Sequence, residues 1–203
     1  AAMTSSDPTI KCYADYIYLD TDERRRFAQV SHEYLIEQVQ YTGAETVAVG
    51  SNKINLHFNH PVKELVWVYG GTTKGGNLVT ASYISAAKLQ LNGHDRFKEE
   101  TGDYFLHVQR FQHHTGTKGQ VARATEQGAT DTPSNLVAES GIYSYSFALK
   151  PEEHQPSGTC NFSRIDTAYL KTGANLAAAD NIYAVNYNVL RVMSGMGGLA
   201  YSN

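Results

Sequence analysis

Ile182 to Asn203 reads IYAVNYNVLRVMSGMGGLAYSN. Its first half places Tyr183, Val185, Tyr187 and Val189 on one side of an extended chain. That period of two, carried by aromatic and β-branched residues, is the pattern of a strand with an apolar face. The second half is glycine-rich. Working outward, the same period returns along the chain. Tyr143, Tyr145 and Phe147 alternate within Ile142 to Leu149, a run that Lys150-Pro151 ends. Ile54, Leu56 and Phe58 alternate with Asn55 and His57, and Pro61 breaks that pattern. Val62 to Tyr69 is the most apolar run. Leu65, Trp67 and Tyr69 share one face and Val66 and Val68 the other, so this strand is expected to be covered on both sides. Lys88 to Leu91 is closed by the turn pair Asn92-Gly93. Leu35 to Tyr41 reads as a strand, and Thr46 to Val49, Gly158 to Ser163 and Thr167 to Lys171 as weaker ones. Near the start, Cys12, Ala14, Tyr16 and Tyr18 alternate with Tyr13, Asp15, Ile17 and Leu19, a strand pattern with aromatics on both faces.

Helices are few. Asp20-Thr21-Asp22-Glu23 has the chemistry of a helix start, a capping side chain followed by acids, and predicts a short helix over Glu23 to Gln29. Tyr104 to Gln112 has helical spacing, with Phe105, Val108 and Phe111 on one side. Gly70 to Gly76 reads as an exposed loop, and Thr115 to Ser140, poor in large apolar residues, as a long surface loop. About eight to ten short strands and no βαβ alternation define an all-β chain, and an antiparallel jelly-roll β-sandwich with short helices in its loops buries one face of each strand. Residues 1–10 read as a flexible lead-in and residues 11–203 as a single jelly-roll domain.

The chain has 203 residues, 41% hydrophobic and 18% charged, which suits one globular domain with a real core. A formal charge of -3 gives no broad basic surface for nucleic acid. No apolar run approaches the length of a membrane span. Fourteen tyrosines favour strands and also interfaces, because the ring buries apolar area while the hydroxyl stays wet. Two cysteines, Cys12 and Cys160, make neither a disulfide framework nor a four-thiolate zinc site, and read as free thiols.

The residues that could carry chemistry do not converge. His57 and His60, and His113 and His114, lack the close HxH pair that a metal-binding cupin would show. His57 points outward on its strand and the adjacent pair points two ways. Glu152 and Glu153 are neighbours on a loop, so they point apart rather than flanking one bond. There is no GxSxG elbow, and in Gly71 to Gly76 the lysine precedes the glycine pair, unlike a phosphate-binding loop. No catalytic group, metal or cofactor is implied. Two features remain. Arg24, Arg25 and Arg26 form the one basic run; it follows three acids, so a helix face paired with its own acids or with a neighbouring subunit is the natural reading. Asn161-Phe162-Ser163 is the one N-x-S sequon, which makes Asn161 a candidate glycan acceptor; the plainer reading is an unmodified structural asparagine beside buried neighbours.

Several blocks resemble the major capsid proteins of large nucleocytoplasmic DNA viruses. They are YIYLDTDERRRFAQVSHEYLIEQVQ (16–40), FNHPVKELVWV (58–68), LQLNGHDRF (89–97), YFLHVQRFQHHT (104–115), YSYSFALKPEEHQPSGTCNFSR (143–164) and the closing stretch, in that family's order. Arg110 departs from the pattern, which leads one to expect proline there. The resemblance implies the second roll of a tandem jelly-roll pair and a structural role. It implies a homotrimer with a six-sided outline that tiles an icosahedral shell, with minor capsid proteins as further partners and the inner membrane nearby. It implies a place in the virion after assembly in the host cytoplasm, and puts the Gly116 to Ser140 loop on the outward side. A carbohydrate-binding jelly-roll module is the alternative reading, and a cupin-like metal enzyme a more distant one.

Overall fold

A computed structural model describes residues 11–41, 53–68, 84, 86–115, 142–173 and 181–201. Two antiparallel sheets face each other. The first has the order β1 (His32–Tyr41), β10 (Asn181–Met193), β3 (Pro61–Val68), β7 (Ile142–Ser146), with β11 (Met196–Leu199) on β10 and β8 (Cys160–Asn161) on β3. The second runs β2 (Lys53–Asn55), β9 (Ala168–Thr172), β4 (Ala86–Leu91), β5 (His94–Asp95), with β6 (Glu100–Thr101) also on β4. The chain crosses between the sheets at each step from β1 to β4 and again before β7, β9 and β10, which is jelly-roll connectivity, and the all-β sandwich expected from the sequence is the fold observed.

The core lies where the sheets meet. Leu65 and Trp67 of β3, Tyr143 of β7, and Ile182 and Ala184 of β10 pack with Ile54 of β2, Leu89 of β4 and Leu170 of β9. Trp67 and Tyr143 are each 1% exposed, their rings stack 6.1 Å apart, and Phe105 sits 5.4 Å from the Trp67 ring. Burying each such side chain stabilises the fold by roughly 1.5–3 kcal/mol. The Tyr143 hydroxyl accepts a bond from the Ile84 amide at 3.1 Å, so its polar end is satisfied too.

Phe105 comes from a π-helical turn, Tyr104–Val108, that runs into α2 (Gln109–His113). Gln109 is buried. Its Oε1 accepts from the Ser146 amide of β7 at 3.1 Å and its Nε2 donates to the Tyr104 hydroxyl at 2.8 Å. A side chain thus satisfies a backbone donor on the edge strand β7. The helix continues through Arg110, whose carbonyl accepts from His114, a bond compatible with arginine there. The Asn92-Gly93 turn closes β4 onto β5 with φ of 49° and 81°, the left-handed pair that this kind of hairpin requires. Asn92 Oδ1 also accepts from Asp166 and Thr167, tying that hairpin to the approach to β9.

Several expectations need correction. Cys12 to Leu19 forms no strand and pairs with none among the described residues, although its alternation is that of a strand. Pro61 does stand past the end of the Ile54–Phe58 pattern, but it belongs to a new strand. It opens β3 opposite Asn161 of β8, at a strand start where a missing amide is tolerated. Leu56 and Phe58 are buried, as their alternation predicts, although regular pairing in β2 stops at Asn55. On β10, Tyr183 and Val185 lie on the face opposite the core, which takes Ile182 and Ala184 instead. The glycine-rich tail returns along β10 as β11 through Ser194-Gly195 at φ 51° and 76°. Thr46 to Val49, the Gly70 to Gly76 loop and residues 116–140 fall outside the described residues.

Candidate assembly surface

The outward face of the first sheet is built by register. In the β1–β10 ladder Tyr41 opposes Tyr183, Val39 opposes Val185, Glu37 opposes Tyr187, Leu35 opposes Val189 and Glu33 opposes Arg191. These pairs share one face because side chains alternate. The Tyr41 and Tyr183 rings stack 4.8 Å apart, Val39 is 64% exposed, and Leu35 and Tyr41 are also exposed. Arg191 holds Glu33 at 2.6 Å at the end of this stripe. A sheet face with this much apolar surface is suited to covering by another protein surface.

The middle of the same face is charged. β3 and β10 slip register between Val185 and Asn186, so Lys63 is the extra residue of a bulge. Lys63 is 3% exposed, yet its Nζ lies 2.7 Å from Glu37 Oε1 and 5.3 Å from the centre of the Tyr187 ring. Glu64, also buried, lies 2.7 Å from His114 Nε2. Burial pushes the Glu64 carboxyl above its ordinary pKa, and His114 and Lys63 oppose that shift. The pair fixes the chain just beyond α2 against β3. Thr115 strengthens this anchor by bonding Glu152 through both its amide and its hydroxyl, which holds the exposed Glu152 below the usual carboxylate range.

Residues 11–30 form a second exposed region. Asp20 caps α1 (Thr21–Gln29), its carboxylate accepting from the Glu23 amide at 2.9 Å. No residue of α1 is buried, and every residue from 11 to 31 is exposed. Phe27 meets the His32 ring at 4.8 Å, and a weak 3.5 Å pair joins Arg25 to Asp22.

The residues singled out in the sequence are scattered. Arg24, Arg25 and Arg26 sit on exposed α1, far along the chain from the sequon. Asn161 is exposed in β8, but its Oδ1 accepts from the Ser163 amide and caps a 3-10 turn, Phe162–Arg164. His113 reaches the Leu149 carbonyl while His114 reaches Glu64, so the adjacent histidines do point two ways. Glu152 serves Thr115 and Glu153 serves Lys150. Among the described residues no three ligand-type side chains converge on one point. Burial raises the pKa of the Cys160 thiol, a setting for an inert cysteine. The pairs that buried Lys63 and buried Glu64 make with the more open Glu37 and His114 were not foreseen. Their one signal was a Lys-Glu dipeptide inside the most apolar run of the chain.

The sequence pattern of the large eukaryotic DNA virus major capsid proteins matches residues 23–198. The major capsid protein of Pyramimonas orientalis virus is 57% identical over 195 residues, covering 94% of this chain and 48% of the relative. That of Paramecium bursaria Chlorella virus 1 is 40% identical over 265 residues, covering 100% of this chain and 56% of the relative. The chain therefore spans about half the length of the curated relatives it matches. Among solved structures, the quasi-atomic PBCV-1 virus capsid contains a chain with 40% identity and a TM-score of 0.68, matched over 93% of this chain and 56% of that one.

Proposed function

From the premise that this chain belongs to the major capsid protein family of large eukaryotic DNA viruses, we propose that it is a building unit of an icosahedral virion shell, acting by self-association rather than turnover. The observation that carries this reading is the match over residues 23–198, supported by a jelly-roll fold like that of a chain in a solved virus capsid. The physics agrees. Shells are held by many repeated contacts, each of which can be weak. The outward stripe of Leu35, Val39, Tyr41, Tyr183 and Val185 offers apolar area for such a contact, with Glu33–Arg191 at its rim. The carbohydrate-binding alternative has no observation in its favour.

The finer reading is a roll that works beside another in a trimer with a six-sided outline, with neighbouring capsomers and minor capsid proteins as partners. The shell is assembled in the host cytoplasm, with the inner membrane on one side and residues 116–140 turned outward. Arg24, Arg25 and Arg26 are proposed as a subunit contact, supported by their exposure on a helix that buries nothing. Asn161 is proposed as a glycan acceptor: it is exposed, as an acceptor must be, and the turn uses only its Oδ1, leaving Nδ2, the atom that would carry the sugar, out of that bond.

The test is quantitative mass spectrometry of purified virions, with negative-stain imaging of shells carrying Val39→Glu. The chain should be among the most abundant shell proteins, and the substitution should impair assembly while the isolated domain keeps its unfolding midpoint. Virions that lack the chain would end this reading.

A further inference from the structure

Asn92-Gly93 is the single Asn-Gly pair in the chain, and its turn holds the atoms of one reaction in place. The amide nitrogen that follows an asparagine can close a five-membered ring onto that side chain's Cγ. Glycine hinders this closure least, because it carries no side chain.

Three atoms decide whether the ring forms. The nucleophile is the Gly93 nitrogen. Both turn residues are exposed, the Gly93 amide donates to no described residue, and a Cβ built on Gly93 would meet nothing within 4 Å. The leaving group is Nδ2 of Asn92. The side-chain bonds of Asn92 run through Oδ1, so Nδ2 is open to water. The third atom is that Oδ1, the oxygen of the carbon under attack. It accepts from two successive backbone amides, Asp166 at 2.9 Å and Thr167 at 3.1 Å. Successive N–H groups aimed at one point form an anion-binding nest. Both distances suit donors that stabilise the oxyanion of an acyl transfer. The nest is fixed in place, since the Asn92 amide donates to the Thr167 carbonyl at 2.7 Å and Gln90 Nε2 donates to the Gly93 carbonyl at 3.0 Å.

We propose that Asn92 is a self-modification site, where the turn and its nest convert asparagine to aspartate through a cyclic imide, with water as co-reactant. In the first step the bond from the Gly93 nitrogen to Cγ forms and the Cγ–Nδ2 bond breaks. Ammonia leaves, carrying the Gly93 amide proton. In the second step water gives its hydroxyl to one imide carbonyl and a proton to the Gly93 nitrogen as the ring opens. Opening at Cγ gives aspartate on an unchanged backbone. Opening at the main-chain carbonyl gives isoaspartate, with an extra methylene in the backbone. The nest polarises the Cγ carbonyl, so it directs water there.

The fold accepts the first product and not the second. Asp-Gly suits this two-residue turn as Asn-Gly does. A carboxylate also accepts the two amides more strongly than a carboxamide. Isoaspartate would lengthen the turn and disturb the pairing of Leu91 with His94. The chain thereby gains one negative charge with age, at the exposed end where the β4–β5 hairpin is tied to the approach to β9.

The test is isomer-resolved peptide mapping of the folded chain aged in mildly alkaline buffer. Its comparators are the peptide LQLNGHDRF (89–97) and the same chain held unfolded in urea. The folded chain should convert Asn92 at least ~10-fold faster than either, a fraction of the ~10²–10³ that one fixed oxyanion donor contributes in an enzyme. Its product should be mostly aspartate, whereas the comparators, which lack the nest, should give mostly isoaspartate. Slower conversion in the folded chain, or isoaspartate as its main product, overturns the proposal. The variant Asn92→Asp carries the product from the start and should keep the wild-type urea midpoint. A midpoint as low as that of Asn92→Ala would show that the turn does not accommodate the product, and overturns the proposal as well.

Discussion

Trp67 with its cross-strand partner Tyr143, and Tyr13 with Tyr16 and Tyr18, are made of the same materials, aromatic residues in strand-like patterns, and meet opposite fates. The first group lies at the centre of the sandwich with both sides covered. The second stands in the open, unpaired among the described residues. Period two states that a segment suits a sheet. It does not state which sheet. That difference separates the residues holding this body together from those left open to water, and each can be perturbed alone.

The largest effect is expected at the centre. Trp67→Ala removes a ring packed against Phe105 and Tyr143 and leaves a cavity between the sheets. It should lower stability by about 3–5 kcal/mol in urea unfolding, enough to unfold a marginal domain. A loss below ~1 kcal/mol would mean that the two regions are not as different as their burial implies. Glu37→Ala comes next. It takes from the buried Lys63 ammonium the carboxylate 2.7 Å away, leaving the Tyr187 ring and the more distant Glu64, and should cost about 3 kcal/mol in the same assay. The double variant with Lys63→Met should recover most of that loss.

Asn92→Ala should cost about 1–2 kcal/mol. Asn92 tolerates the positive φ of its turn and accepts from two amides ahead of β9, and alanine does neither well. Glu64→Gln tests the charged patch through pH. The folded protein binds the Glu64 proton more tightly than the unfolded chain, because its pKa is raised by burial. Ionisation of this group therefore costs stability as pH rises from the ordinary carboxylate range through the raised value. Below that window wild type and variant should unfold alike; across it the wild type should fall behind. A gap that shrinks with rising pH would mean that attraction to His114 and Lys63 outweighs desolvation. The smallest global effect belongs to the exposed region. Asp20→Ala should remove about 1 kcal/mol of helix stability in α1, seen as faster exchange of its amides, with no change in the unfolding midpoint. A shifted midpoint would show that α1 is part of the sandwich's cooperative unit.

How far the sequence could be read follows the same division. Strands whose partners lie within the chain were legible, because pattern and burial have one cause there: Leu65 and Trp67, Tyr143 and Tyr145, and the Asn92-Gly93 hairpin are all where their spacing puts them. Cys12 to Leu19 was legible as a strand but not as an unpaired one, since pairing is a property of two segments. The face of β10 was misread for a related reason. Tyr183 and Val185 are more apolar than Ala184 and Asn186, yet the smaller pair faces inward because the space between the sheets at that point is already filled by Trp67 and its neighbours. Lys63 and Glu64 were hidden by the bulge, which arises from a register slip that no single strand records. The apolar outer face of the first sheet was not legible residue by residue, because no cluster of catalytic side chains marks it; only the resemblance of whole blocks to a family pointed toward assembly.

The thirteen residues of β10 deserve a mechanical reading. Ten consecutive rungs join it to β1, while its other edge is shared in turn by β3 and β11. A pull directed along this strand loads all ten rungs at once, in shear; a pull across it would open them singly, like a zipper. His32, the residue through which α1 hands the chain to the sheet, lies at one end of that ladder. Tension arriving from α1 along the strand axis would meet the ladder in its strong direction, so the domain is built to be tugged from that corner without unravelling.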